Sequence, residues 1–292
     1  MSKTFKVAVC GGDTRMLSAA SLFAENGCDC TVWKGAQGEC CPAVRSHDMK
    51  NTLSGTDAVI LPIPAFSSAG RLICAESERG CPDATEIFQA LPHSAKVFGG
   101  RISPLIKKLA GEYGLRIYDY GEREEFSVLN AVPTAEAAIK TAMDRLPVTI
   151  DSSTATILGY GRVGRALAHR LLALHAEVTV CVRSSGAAAL AQSDGCRTEE
   201  LNSVLKRGIG GDMCFNTIPY PVIDDDAASG FSCSLFIDLA SAPGGCTEEA
   251  AAILGDRLIC ALSLPGKYSP ASAGKIIYNT VFNMLDSEVD DL

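Results

Sequence analysis

The chain has 292 residues, enough for about two domains of ~150 residues each. At 47% hydrophobic and 21% charged, with 27 Gly, it reads as a globular protein with ample core material, and neither a disordered nor a fibrous one. Its 26 Lys+Arg against 34 Asp+Glu leave a formal charge of −8, which argues against nucleic acid as a partner, and no run of about 18 apolar residues offers a membrane span.

In chain order, residues 5–10 form an apolar strand pattern that runs into Gly11-Gly12-Asp13, followed by a helical stretch over 16–25 and a strand at 30–33. Further apolar runs at 58–61, 96–98 and 116–118 end at Pro62, at Gly99-Gly100 and near Asp119. Strands that alternate with helix-length segments predict a parallel sheet with right-handed crossovers. The first glycine turn lacks a third Gly and carries an acidic residue that would oppose a phosphate. It is therefore expected to serve substrate or domain-interface architecture and not a second nucleotide.

Pro133-Thr134-Ala135-Glu136 carries a helix-start signature, which predicts a linking helix over about 133–145. A second unit opens with a strand at 155–158 and Gly159-Tyr160-Gly161-Arg162-Val163-Gly164. The helix that follows places Val163, Leu167, Leu171 and Leu174 on one face. Strands are expected at 177–182, 213–215, 235–237 and 258–260. Pro270 opens a last amphipathic helix through Ala273, Ile277, Val281 and Met284, expected to pack back on the first domain, and residues 286–291 read as a frayed acidic tail. The expected fold is α/β: two doubly wound domains, the second a Rossmann-type dinucleotide-binding domain, joined by long linking helices. The boundaries are 1–148, 149–268 and 269–292.

The strongest chemical signal is Gly159-x-Gly161-x-x-Gly164. The first Gly permits the turn, the second lets a pyrophosphate approach the backbone, and the third lets helix and strand pack. The helix N-terminus, with Arg162 and Val163, then offers N–H groups to the phosphates. At the end of the second strand stand Arg183-Ser184-Ser185, where an NAD site usually has a carboxylate. A guanidinium and two hydroxyls suit a 2′-phosphate, which favours NADP over NAD. Thr217, Ile218 and Pro219, with Asp238 and Leu239, are placed to face the nicotinamide-ribose. The substrate is expected in the cleft between the domains. Its candidate polar groups are Arg101, Ser103, Asn130, Thr134, Ser241, Lys267 and Ser269, with Glu125 and Glu136 as acid–base candidates.

Histidines occur only at 47, 93, 169 and 175, so the base that 2-hydroxy-acid dehydrogenases need is missing from the last third of the chain. The thirteen Cys contain no C-x-x-C pair and are expected to be free thiols, with neither a disulfide framework nor a metal site.

The segments Leu158-Gly-Tyr-Gly-Arg-Val-Gly164, Asn216-Thr-Ile-Pro219, 237–245 (IDLASAPGG) and 264–274 (LPGKYSPASAG) resemble the dipicolinate synthase A-subunit family, as do 9–13 (VCGGD) and 130–136 (NAVPTAE). The chain departs from that pattern at Ala242, where the family carries a basic residue, and at Lys267, where it carries an apolar one. The resemblance implies a cytoplasmic oxidoreductase of spore-forming bacteria. Such an enzyme takes a dihydrodipicolinate-level intermediate to dipicolinate and works with a flavoprotein-like second subunit. The expected ligands are NADP and a small dicarboxylate, and a homo-oligomer is expected. Alternatives left open are an NADPH-binding scaffold subunit without its own catalysis, or a dehydrogenase of another small carboxylate.

Overall fold

The computed structural model describes residues 4–38, 42–75 and 80–287; Cys40, Cys41 and most of the acidic tail lie outside them. The chain divides into two units, residues 1–129 with 269–292, and residues 130–268.

The first unit runs β1 (Lys6–Cys10), α1 (Thr14–Glu25), β2 (Asp29–Trp33), β3 (Val44–Ser46), α2 (Met49–Leu53) and β4 (Ala58–Ile60). It continues with α3 (Ala84–Ala90), β5 (Lys96–Gly99), α4 (Pro104–Glu112) and β6 (Arg116–Asp119). Its six strands are all parallel, in the order β3-β2-β1-β4-β5-β6. Alternate residues of the central strands feed opposite faces, as a strand's period of two requires. Val7, Val9, Ala58 and Ile60 pack with Met16, Ala20 and Phe23 of α1, while Ala8, Val59 and Val97 pack with Ile87 and Phe88 of α3.

Helix α5 (Glu124–Arg145) begins nine residues before the expected start and carries Pro133 in its interior. This corrects the reading of Pro133 as a first helical residue. Glu124 and Glu125 supply the acidic first turn instead, and the missing N–H of Pro133 removes one bond, to the carbonyl of Leu129. In the next turn the Thr134 hydroxyl donates to the Asn130 carbonyl at 2.7 Å. The division between the units falls at this interrupted turn, between Leu129 and Asn130, earlier than a boundary at 148.

The second unit runs β7 (Thr154–Leu158), α6 (Arg162–Ala173), β8 (Glu177–Val182), α7 (Ser185–Ser193), β9 (Arg197–Glu200) and α8 (Leu201–Arg207). It continues with β10 (Met213–Asn216), α9 (Asp225–Ser229), β11 (Leu235–Asp238), α10 (Glu248–Leu254), β12 (Leu258–Cys260) and α11 (Leu264–Tyr268). Its parallel strand order, β12-β11-β10-β7-β8-β9, reverses direction between β7 and β10. In such sheets ligands bind outside the strand carboxyl ends at that reversal.

The last helix, α12 (Pro270–Ser287), belongs to the first unit and packs along α1. Contact is close at Gly274, where a Cβ would lie 2.5 Å from the Arg15 carbonyl oxygen and 2.5 Å from the Ser18 Cβ. Ile277 and Val281 complete the seam, fully buried. No helix among the described residues is long and apolar enough to cross a membrane.

Candidate functional site

The glycine turn of the second unit has the division of labour its sequence predicts. Gly159 sits at φ +91°, a left-handed conformation that side chains resist, and a Cβ there would meet Thr217 Oγ1 at 2.7 Å. A Cβ on Gly164 would meet the Gly159 carbonyl oxygen at 2.5 Å, so helix α6 lies directly on the turn. Gly161 is different: nothing lies within 4 Å of its would-be Cβ. It is also the N-cap of α6 and supplies no side-chain cap, so the first-turn N–H groups of a 12-residue helix face this open space without one. These are the features a pyrophosphate needs, and the residues fit a dinucleotide.

The neighbouring strand ends are tied to this turn. The Gly159 N–H donates to the Cys181 carbonyl at 3.0 Å, which fixes the turn beside the end of β8, where Arg183, Ser184 and Ser185 are exposed. Ser184 also caps α7, its hydroxyl accepting from Ala187 N. Thr217 donates twice to the Leu158 carbonyl, from its N–H at 3.0 Å and its hydroxyl at 2.8 Å. Asn216 is fully buried; its amide donates to Asp238 Oδ1 at 2.8 Å and to the Ile218 carbonyl at 3.1 Å. Asp238 accepts in addition from the N–H groups of Ala240 (3.0 Å) and Gly245 (2.7 Å). Leu239 N donates to the Asn216 carbonyl at 2.9 Å. The structure thus brings Gly159, Thr217, Ile218, Asp238 and Leu239 into one hydrogen-bonded array, with Gly164 packed against the Gly159 carbonyl. Within it Asp238 organises loops and points inward.

The first unit's glycine turn is closed. Gly12 N–H donates to the Ile73 carbonyl at 2.8 Å, and a Cβ on Gly11 would meet that same oxygen at 2.5 Å. Protein backbone therefore fills the space that a phosphate would occupy, and Asp13 caps α1 through Arg15 N. Nearby, Arg101 holds φ +54°, an uncommon conformation for a non-glycine residue. It is maintained by Asp119, whose carboxylate accepts from the N–H groups of Arg101 (3.0 Å), Ile102 (2.7 Å) and Gly121 (2.8 Å).

The other candidates have these surroundings. Glu125 accepts from Arg123 Nε at 2.8 Å. Burial pulls its carboxyl upward, but its own backbone N–H and the Arg123 guanidinium outweigh this and hold it below the usual carboxylate value. Glu136 accepts from Arg170 Nε at 3.2 Å on the surface of the second unit. Ser103 caps α4, and the Ser269 carbonyl accepts from Ala273 N at the start of α12. Asn130 and Thr134 bracket the interrupted turn of α5, and the Ser241 carbonyl accepts from Gly244 N. The Lys267 ammonium lies over the Tyr268 ring, 5.0 Å from its centre, beside a cavity of about 190 Å³ that Asp144 and Arg145 also line.

Two features escape the sequence. The first is Asp194, at the end of α7, on which three side chains converge, one from the glycine turn and two from α6: Tyr160 Oη (2.8 Å), Arg165 Nε (2.9 Å) and His169 Nε2 (3.1 Å). Tyr160 is the second residue of the glycine fingerprint, so this cluster anchors the turn to α7. Hydrogen bonds from His169, Tyr160 and Arg165 hold the Asp194 carboxyl down at about 2, against an ordinary 3.8. A carboxyl depressed in the folded state stabilises above its unfolded value, and that contribution is lost as pH falls through the folded one. Urea unfolding should therefore show an acid-side loss between pH 3.8 and about 2 that Asp194→Asn removes.

The second feature is a disulfide between Cys74 and Cys81, which corrects the expectation that every thiol is free. The pair is seven residues apart and belongs to no motif, so no spacing rule announces it. Cys10, Cys181 and Cys214 are buried free thiols, and burial pushes the first two up to about 12. Among the described residues no group of three or more His, Cys, Asp or Glu could hold a metal ion.

Comparison with known proteins adds to this geometry. Residues 6–121 match the family model of the dipicolinate synthase A-subunit N-terminal domain, and residues 129–219 that of the D-isomer specific 2-hydroxyacid dehydrogenase, NAD binding domain. The chain is 29% identical over 290 residues to the dipicolinate synthase A subunit of Bacillus subtilis (strain 168), covering 96% of this chain and 95% of that protein. The crystal structure of the dipicolinate synthase A subunit from Bacillus halodurans matches with a TM-score of 0.84 at 26% identity, over 96% of this chain and 97% of that one. That of the dipicolinate synthase A chain from Bacillus subtilis matches with a TM-score of 0.83 at 27% identity, over 100% and 99%.

Proposed function

Because the chain belongs to the dipicolinate synthase A-subunit family, we propose that it dehydrogenates a dihydrodipicolinate-level intermediate to pyridine-2,6-dicarboxylate with NADP⁺. The observation that supports this reading most is the open space at Gly161, at an α6 N-terminus without a side-chain cap, in a chain that matches the family end to end. A bound nicotinamide dinucleotide supplies the hydride acceptor. The remaining tasks fall to the chain's own residues. Gly161, Arg162, Val163 and Gly164 receive the pyrophosphate, and Thr217, Ile218 and Pro219, held by Asn216 and Asp238, shape the nicotinamide-ribose end. Arg101 and Lys267, with Ser103, Asn130, Thr134, Ser241 and Ser269, serve the two substrate carboxylates. Loss of one hydride and one proton converts the dihydropyridine to the aromatic ring, so only one base is required. Glu125 is the first candidate for that role and Glu136 the second. The absence of any histidine after His175 fits this reaction better than oxidation of a 2-hydroxy acid.

Purified chain given NADP⁺ and freshly generated dihydrodipicolinate should produce the ultraviolet band of the pyridine dicarboxylate together with NADPH. Cofactor binding without turnover, restored by the flavoprotein-like second subunit, would instead favour a cofactor-binding scaffold role. The choice of NADP over NAD rests on Arg183, Ser184 and Ser185. Removing a charge-assisted hydrogen bond costs about 1.5–3 kcal/mol. Arg183→Asp should therefore weaken NADP⁺ by roughly 10- to 100-fold in calorimetric titration while sparing NAD⁺. Equal NADP⁺ affinity in the variant would remove Arg183 from the site.

A further inference from the structure

Three of the four strands at the edges of the two sheets carry charge: β3 has Arg45, β6 has Arg116 and Asp119, and β9 has Arg197, Glu199 and Glu200. Charge on an edge is a common guard against pairing with another chain. β12 (Leu258-Ile259-Cys260) carries none, and the uncharged run continues through Ala261 and Leu262. Arg257, just before it, donates to the Phe231 carbonyl at 2.6 Å. Cys260 is exposed, and Leu262 is 60% exposed. Among the described residues β12 pairs with β11 alone.

The backbone shows what this edge offers. The Ala261 N–H donates to the Asp238 carbonyl at 2.8 Å, so strand alternation turns the N–H and C=O of Cys260 and the C=O of Leu258 outward. The Leu258 N–H is taken by the Gly255 carbonyl. Ile259 and Leu258 pack into the cores on opposite faces of the sheet, and a cavity lies beside the edge on each face. On the Ile259 face, Thr141, Asp144, Arg145, Lys267 and Tyr268 line about 190 Å³; on the Leu258 face, Ala242, Pro243, Glu248 and Ala251 line about 220 Å³. Both cavities reach Cys260 and Leu262. Cavities on both faces of an open edge are places for the alternate side chains of an added strand. Their exposed charges balance, Arg145 and Lys267 against Asp144 and Glu248, while Asp238, which also lines the second, is buried and occupied by N–H groups. In a chain of net charge −8, this is a surface where a second copy meets no excess of like charge. We propose that β12 pairs with β12 of a second copy, antiparallel about a two-fold axis at Ile259. The Cys260 N–H of each copy then donates to the Leu258 carbonyl of the other, and Leu258 and Cys260 of each copy extend the apolar wall of the other's cavity on their face.

Sedimentation velocity on the full chain, kept reduced so that no intermolecular disulfide contributes, should show a dimer at about 100 µM that dissociates on dilution. Hydrogen exchange at the Cys260 amide should slow about tenfold or more between the dilute and the concentrated chain. Cys260→Pro removes the outward donor, a change that an edge position tolerates, and Cys260→Lys supplies the charge that the other edges carry. Each should weaken the dimer by roughly tenfold or more and leave the thermal midpoint at about 1 µM unchanged. Three results would overturn the proposal: a monomer at every concentration up to about 100 µM, a dimer in which Cys260 exchange is unaltered, or a dimer that a folded Cys260→Lys leaves intact. Protection of Cys260 that appears only when the flavoprotein-like second subunit is added would equally overturn it, since a different protein would then cover the edge.

Discussion

Gly161→Val is expected to fold as the native chain does and to lose nicotinamide-cofactor affinity by about 100-fold or more, equivalent to ~2.7 kcal/mol. Gly161 occupies an extended conformation, φ −82° and ψ −163°, that any residue adopts, and its would-be Cβ meets nothing within 4 Å. A valine is therefore accommodated by the protein. Its only intrinsic cost is that of a poor N-cap, within about 1 kcal/mol. The added methyls occupy the space over the α6 N-terminus that a pyrophosphate must enter. Gly159→Val gives the contrasting result: at φ +91°, against Thr217 and Ile218, it should lower the unfolding midpoint before any question of ligand arises. Calorimetric titration beside thermal unfolding separates the two. Undiminished cofactor affinity in a folded Gly161→Val would show that no phosphate passes over this turn.

That difference between glycines marks how far the sequence can be read. The fingerprint at 159–164 and the central strands are legible, because each rests on a local apolar period or a turn signature. The strands that the sequence does not announce are β3 and β9, one of the two edge strands of each sheet. Their sequences, Val44-Arg-Ser46 and Arg197-Thr-Glu-Glu200, contain almost no apolar residue because an edge strand buries little. The start of α5 is misplaced because a proline reads the same at a first helical position and inside a long helix whose other turns compensate for it. Non-local facts leave no trace at all: the Ile73 carbonyl under Gly11 and Gly12, the Cys74–Cys81 bond, and the convergence of Tyr160, Arg165 and His169 on Asp194. Asp119 and Asp238 belong here too. Each is visible as the last residue of a strand, but the N–H groups it gathers come from loops that only the folded sheet brings near.

Asp238→Ala should be the most damaging single change in the second unit, lowering its stability by about 3–5 kcal/mol. The carboxylate is 5% exposed and accepts from Asn216 Nδ2, Ala240 N and Gly245 N. Truncation strands three donors, and Gly245 lies so close over the Asn216 amide that water has little room to replace the lost oxygens. Asn216 in turn accepts from Ile218 N at 3.1 Å, so the loop at 216–219 is released as well, and cofactor affinity should fall with stability. Asp238→Asn keeps one acceptor and should fall between the native chain and the alanine variant. In the first unit Asp119 performs the same service for Arg101, Ile102 and Gly121. Asp119→Ala should therefore cost a comparable stability while leaving cofactor affinity unchanged. Denaturant unfolding and cofactor titration on the two variants give a two-by-two comparison. If Asp238→Ala unfolds within about 1 kcal/mol of the native chain, the buried carboxylate does not organise the strand ends, and the ordering of the loop at 216–219 must come from Thr217 and the glycine turn alone.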